Sequence, residues 1–277
     1  MCRLYGFTAN EPTQVECSLV SAQNALRVQS DRDGRGRRNA DGWGIATWAG
    51  GRVDVARSAH PAFADRRFAD HASASRSRGT VAHVRAATVG SVLIDNTHPF
   101  TYGPWAFAHN GTLPGHQELR PALLEEALGV PSGSTDSELM FRWILGKMAT
   151  HGLDPGQRAS EPEALLDLVA DSVLELIRRS IETSSEPPGL NLLLSDGVNL
   201  AASRWGNSLY WLERDAVRDC AVCGTNHCPT ADEEYRAVVV ASEPITGEPW
   251  MEVQEGTVIA AAPGREVRTR DLMQKAA

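Results

Sequence analysis

The spacing of apolar and polar positions divides this chain into strand-rich ends around a helical middle. Apolar residues over 4–9 predict a first strand. Pro12, followed by Val15, Leu19, Val20 and Leu26, predicts a helix capped near Thr13 with Cys17 as a core residue. The glycine-rich stretch 30–42 reads as a loop. The segments 43–49 and 52–58, separated by Gly50-Gly51, read as a hairpin, and 80–86 and 105–108 as further strands. Helical spacing then takes over at 116–128, 137–148 and 162–181, up to the break at Glu186-Pro187-Pro188-Gly189. Beyond it 190–194, 198–203 and 208–212 are short strands, the first two joined by an Asp196-Gly197 turn.

Strands flanking a helical middle favour one α+β domain of antiparallel sheets over a βαβ wound fold. The domain is expected over residues 2–262, with a C-terminal tail at 263–277 that frays from Met273 to Ala277. No G-x-G-x-x-G or G-x-x-x-x-G-K-[ST] pattern occurs, so nothing in the sequence supports a nucleotide phosphate cradle.

Charge and composition narrow the partners. A net charge of -8 argues against a general nucleic-acid binder. No stretch approaches the ~20 apolar residues that span a bilayer, and the start of the chain lacks the parts of a secretion signal, so no membrane association and a cytoplasmic location are expected. The one basic run, from Arg32 to Arg38, is interrupted by glycine and reads either as a solvated loop or as a surface meeting an anionic substrate or partner. Five cysteines without a secretory signal do not point to a disulfide framework. Cys220, Cys223, His227 and Cys228 have the spacing of a structural zinc knuckle; a reduced loop without metal and a redox pair are the other readings. No metal is assigned to catalysis.

Candidate chemistry begins at Cys2. Removal of Met1 would leave it with a free α-amine beside its thiol, a base and a nucleophile in one residue; a buried cysteine opening a strand is the alternative. Asp41-Gly42-Trp43-Gly44 suits tight backbone packing or a hairpin entrance. His83-Val84-Arg85-Ala86-Ala87-Thr88 ends a buried strand in an arginine, which needs a substrate carboxylate or an internal acid. His98, in Asn96-Thr97-His98-Pro99-Phe100, is a pocket wall or a turn residue. Asn110-Gly111 is a hairpin turn or an oxyanion hole. Asp136, in Thr135-Asp136-Ser137-Glu138, is a helix N-cap or a carboxylate for a substrate ammonium.

Together and in this order these motifs resemble the glutaminase domain of class II glutamine amidotransferases, the N-terminal-nucleophile hydrolases. Ser242-Glu243-Pro244 and Trp250 extend the likeness to the closing segment of stand-alone members, including γ-glutamyl hydrolases. The resemblance implies a four-layer αββα sandwich and cleavage of a γ-glutamyl amide through a Cys2 thioester, with no cofactor required. It implies an oxyanion hole at Asn110 and Gly111, Arg85 on the substrate α-carboxylate, Asp136 on its α-ammonium, and Thr88 and His98 lining the pocket. It also implies a small γ-glutamyl substrate, with a synthetase or peptidase subunit as a conceivable protein partner. A glutaminase subunit delivering ammonia to a separate synthetase, and a non-catalytic γ-glutamyl-binding protein, are the rival readings. Two departures stand out: the recognisable catalytic segment is spread across the one expected domain, where synthetic amidotransferases carry a second that accepts ammonia, and Ala86 stands where the family often has Trp.

Overall fold

The computed structural model describes residues 2–215 and 234–273. In chain order its first half contains β1 (Arg3–Thr13), a π-helical turn at Cys17–Ser21, α1 (Leu26–Asp31), β2 (Trp43–Ala49), β3 (Arg52–Ser58), α2 (Arg66–Ala74), β4 (Ser77–Val84), β5 (Phe100–Tyr102) and β6 (Trp105–Thr112). There follow α3 (His116–Glu126), α4 (Asp136–Lys147), α5 (Pro162–Thr183), β7 (Gly189–Ser195), β8 (Leu200–Arg204), β9 (Tyr210–Arg214), β10 (Ala237–Ala241), β11 (Met251–Glu252), β12 (Thr257–Ala261) and β13 (Arg268–Asp271).

The alternation along β1 sets the layers. Leu4 faces one apolar core and Tyr5, Phe7 and Ala9 another, as the period of 2 requires. β1 lies within a sheet of order β11-β9-β10-β1-β4-β2-β3, and the second sheet has order β13-β12-β8-β7-β6-β5. Every pairing is antiparallel. Three cores separate four layers. Leu19, Leu26, Trp43 and Phe68 pack α1 and α2 on the outer face of the first sheet. Leu4, Trp48, Val81, Ala106, Ala108 and Leu193 fill the space between the sheets. Phe107, Phe141, Trp143 and Leu165 pack α3 to α5 on the outer face of the second. The result is the αββα sandwich expected from the resemblance.

At Gly6 the sheets meet closely because a glycine faces two leucines. A Cβ on Gly6 would lie 2.5 Å from Leu193 Cδ1 and 2.7 Å from Leu200 Cδ1. At the end where β4 and β6 finish, the contact is polar: His83 Nε2 donates to the His109 carbonyl oxygen across the sheets, at 3.2 Å. The ring of His98 lies 4.2 Å from that of His83, and neither of its nitrogens has a hydrogen-bond partner among the described residues. His109 donates from Nε2 to the Gly189 carbonyl at 2.8 Å and accepts at Nδ1 from Ser137 Oγ at 2.9 Å, an arrangement that fits the neutral ring.

Several expectations need correction. The strand at the start of the chain runs on to Thr13, and in place of one helix there is the π-helical turn followed by α1. Val15, Leu19 and Leu26 are buried as a helical stripe would be, so the apolar spacing was sound but the chain breaks at Ala22 to follow the sheet. Cys17 is buried in the π-helical turn. α2 carries only two buried residues, Phe68 and Ala72, too sparse a pattern to announce it; Asp65 caps it by accepting from Arg67 N. The 43–58 hairpin turns through Gly50 and Gly51, both at positive φ (56° and 82°), as a two-residue turn demands. Within the stretch expected as a tail, β13 pairs with β12, and Arg270 bridges to Asp167 and Asp171 of α5, at 2.7 Å each. The Cys220, Cys223, His227 and Cys228 cluster lies outside the described residues.

Two measurements test this packing. Gly6→Val overfills the space between the sheets and is expected to cost about 1–3 kcal/mol in urea unfolding. Burial pushes His83 down to about 3 and moves His98 and His109 in the same direction. Their folded-state affinity for protons is below that of the unfolded chain, so stability is full above pH ~6.5 and declines as pH falls below it, by roughly 1 kcal/mol per pH unit for each ring that stays neutral in the folded state, and for His83 down to about 3. The melting temperature should therefore drop on acidification from pH 7 to 5, and less steeply in His98→Leu.

Candidate active site

The antiparallel register places Cys2 beside the end of β4. Arg3 pairs with Val84, so the residue before it meets the backbone just beyond: Ala86 N donates to Cys2 Sγ at 3.3 Å, and the thiol reaches Ala86 O at 3.4 Å. Cys2 is 8 % exposed. Burial pushes its thiol up from the usual range, against the Ala86 amide and the charge of Arg85, which pull the other way. The thiol is thus protonated at neutral pH and needs a base to act as a nucleophile. On the other side of β1, Ser242 locks the strand: Leu4 N donates to Ser242 Oγ at 3.0 Å and Ser242 N to Leu4 O at 3.1 Å.

Arg85 continues the sheet past β4. Its amide donates to Gly42 O and its carbonyl accepts from Asp41 N, both at 2.8 Å, while Asp41 Oδ2 accepts from Ala87 N at 2.8 Å. The glycines of Asp41-Gly42-Trp43-Gly44 serve close packing: a Cβ on Gly42, whose φ is 129°, would sit 2.8 Å from Ser58 O, and one on Gly44 would collide with the His98 carbonyl. The Arg85 guanidinium is held by carbonyls, from NH1 to Ser91 O (3.1 Å) and from NH2 to Val89 O (2.8 Å) and Gly90 O (3.2 Å). An internal acid is therefore not what anchors it. Three of its five donors are used, and the neighbouring carboxylates of Asp41 and Asp136, with Cys2 when it is a thiolate, partly offset the burial that pushes its affinity for protons down.

The far wall is built on β6. Asn110-Gly111 is not a hairpin turn, because the strand runs on to Thr112 and pairs Asn110 with Asn191 and Gly111 with Leu190. Glycine is required at 111, where a Cβ would collide with the Gly189 carbonyl oxygen. Asn110 is buried, and its Oδ1 has no hydrogen-bond partner among the described residues. Its main-chain oxygen accepts from Asn207 Nδ2 at 3.1 Å. Asn191 holds that neighbour in turn, accepting from Asn207 N at 3.1 Å and donating to Asn207 O at 2.9 Å. Sequence reasoning missed both supporting asparagines; the signal was an amide inside the apolar run Leu190-Asn191-Leu192.

Thr135, not Asp136, caps α4, its Oγ1 accepting from Glu138 N at 3.2 Å. Asp136 is thereby the first helical residue. Its Oδ2 accepts from Leu113 N and its Oδ1 from Ser137 N, at 2.8 Å each, which fixes the carboxylate at the end of β6. Thr88 Oγ1 lies 3.0 Å from Thr112 Oγ1, joining the segment after β4 to the same strand end. Cys2, Arg85 and Asp136 lie within electrostatic reach of one another. Thr88 is exposed, and His98 is buried against His83, two residues before Arg85.

The family model described as "Glutamine amidotransferases class-II" matches residues 1–276. YafJ of Escherichia coli (strain K12), whose name places it among glutamine amidotransferases, is 31% identical over 273 residues, covering 92% of this chain and 95% of that protein. The gamma-glutamyl-hercynylcysteine sulfoxide hydrolase of Mycobacterium tuberculosis is 31% identical over 219 residues, covering 77% of this chain and 81% of the relative. Among solved structures, a predicted glutamine amidotransferase from Pseudomonas aeruginosa PA01 superposes with a TM-score of 0.63 at 26% identity, over 96% of this chain and 99% of that one. The chain belongs to the class II glutamine amidotransferase family.

Proposed function

We propose that this protein is an amidohydrolase that cleaves a γ-glutamyl amide through a thioester on Cys2. The observation that carries the reading is the meeting of Cys2, Arg85 and Asp136 at the ends of β1, β4 and β6: a thiol, a cation and an anion, each buried and each held in place by backbone groups. A glutamyl group presents an α-carboxylate, an α-ammonium and a γ-carbonyl. The unused donors of Arg85 suit the first and the Asp136 carboxylate the second, which directs the third at Sγ. Thr88 stands at the rim and His98 behind the wall.

In this reading removal of Met1 exposes the Cys2 α-amine. With an ordinary value near ~8 it takes the proton from the buried thiol, and Sγ attacks the γ-carbonyl. The Asn110 side-chain amide and the Gly111 N-H stabilise the oxyanion. Collapse breaks the C-N bond, the α-ammonium returns its proton to the leaving amine, and a water activated by the α-amine releases glutamate. We read residues 2–262, together with β13 that completes the second sheet, as the domain that performs these steps. The name of the mycobacterial relative, a hydrolase of a γ-glutamyl compound, supports hydrolysis over transfer to a second domain.

Glutamate release by protein shown by mass to lack Met1, on glutamine, γ-glutamyl peptides and γ-glutamyl-p-nitroanilide, tests the proposal. Cys2→Ala is expected to lose activity at least ~10³-fold. Asn110→Ala should lower kcat by ~10²-fold with KM nearly constant, since the oxyanion exists only in the transition state. Arg85→Gln and Asp136→Asn should act chiefly on KM, raising it roughly 10-fold or more. Absence of glutamate release from every one of these substrates would sink the hydrolase reading.

A further inference from the structure

Arg3 directly follows Cys2, and its side chain is as buried as the core around it, with 4% relative exposure. Its guanidinium joins three segments far apart in the chain. NH1 donates to the Cys2 carbonyl at 2.9 Å, and Nε to Glu243 Oε1 at 2.8 Å. NH2 forms ion pairs with Asp33 Oδ2 at 2.8 Å and with Glu243 Oε1 at 2.7 Å. The two acids are themselves fixed. Asp33 Oδ1 accepts from the amides of Arg35 and Arg37, at 2.9 Å each, shaping the arginine-rich loop. Glu243 accepts from Gly34 N at 3.1 Å on both oxygens, and the next residue's carbonyl, Pro244 O, accepts from Asn24 Nδ2 at 2.8 Å. Burial raises Asp33, but the amides of that loop and the charge of Arg3 outweigh it and hold the carboxyl below its usual range.

Burying Arg3 and Asp33, with Glu243 half-buried beside them, is a poor route to stability, because apolar side chains of the same volume pack there at lower desolvation cost. What this triad supplies is direction. The carbonyl of Cys2 defines its ψ angle, and ψ decides where the α-nitrogen lies relative to the groups around Sγ. We propose that Arg3 is a positioning residue: it aligns the α-amine and thiol of Cys2, and through Asp33 and Glu243 it makes the seating of loop 33–37 a condition of that alignment. The proposal rests on Cys2 being the nucleophile.

The triad also sets the local charge. The groups facing Cys2 are Arg3 with Asp33 and Glu243, Arg85 beyond β4 with Asp41 beside it, Asp136 from α4, and the neutral His83 within β4. Arg3 is one cation against two carboxylates. Its removal leaves the carboxylates unopposed and favours the α-ammonium, which displaces the acid limb of Cys2 reactivity to higher pH. Glu243→Gln removes one negative charge and displaces that limb to lower pH.

The test uses full-length protein lacking Met1. Alkylation of Cys2 by iodoacetamide is followed against pH by mass of the N-terminal peptide, alongside kcat and KM on γ-glutamyl-p-nitroanilide. Arg3→Met and Glu243→Gln should shift the acid limb in opposite directions and lower kcat at least ~10-fold with KM within about three-fold. Arg3→Lys should return the limb toward its original pH without restoring kcat, since an ammonium cannot serve three acceptors in a plane. Glu243→Gln and Arg3→Lys keep the site's volume, and they decide the matter if Arg3→Met does not fold. Unchanged limb and kcat in folded Glu243→Gln and Arg3→Lys overturn the proposal. The alkylation arm needs no substrate: wild-type protein that alkylates normally but hydrolyses nothing counts against the γ-glutamyl reading, while opposite limb shifts still uphold this one.

Discussion

The cross-sheet hydrogen bond from His83 to the His109 carbonyl is the contact on which the site depends. Much of the space between the two sheets is filled by apolar side chains, which tolerate sliding; directional bonds do not. While Trp48 Nε1 to Pro104 O (2.7 Å) and Thr8 Oγ1 to Val198 O (2.6 Å) tie the sheets elsewhere, this one lies at the site. It ties the strand that ends in Arg85 to the strand that continues into Asn110 and Gly111. Two halves of the pocket, belonging to different sheets, are thereby held at one separation. His83 can play this part because burial keeps it neutral, with one N-H to give and no charge to desolvate.

Around that tie, the backbone does much of the work usually left to side chains. Carbonyls of the segment after β4 hold the guanidinium of Arg85, main-chain amides hold the carboxylate of Asp136, and an amide and a carbonyl flank the thiol of Cys2. Such partners are fixed by the course of the chain and carry no side-chain rotamer freedom. Glycines make the arrangement possible where two backbones converge, as at Gly111 against Gly189.

The sequence made the strands around the site readable as short apolar runs, since both of their faces are buried, and the helical middle readable by its spacing, with α5 departing from its expected end by only two residues. The order of motifs also placed Cys2, Arg85, Asn110 and Asp136 in a recognisable frame. What escaped notice were features set by partners distant in the chain. Nothing local announces that Asn191 and Asn207 brace Asn110, or that β6 runs through an Asn-Gly pair that elsewhere makes a turn. The helix expected after Thr13 failed for a related reason: Val15, Leu19 and Leu26 are equally buried by a broken path that hugs the sheet.

The pairing of β1 has a consequence for how the molecule is made. Tyr5 lies opposite Ala241, and Ser242 bonds to Leu4 on both its amide and its hydroxyl, so β1 is completed by a strand far along the chain. Contacts of such sequence separation form slowly, because a large loop must close before they are rewarded. On the ribosome, β1 can gain β4 early but waits for β10, with Ser242 lying 238 residues beyond Leu4. Alignment of Cys2 is thus a late event in the life of each molecule, and a truncated product carries an unfinished pocket.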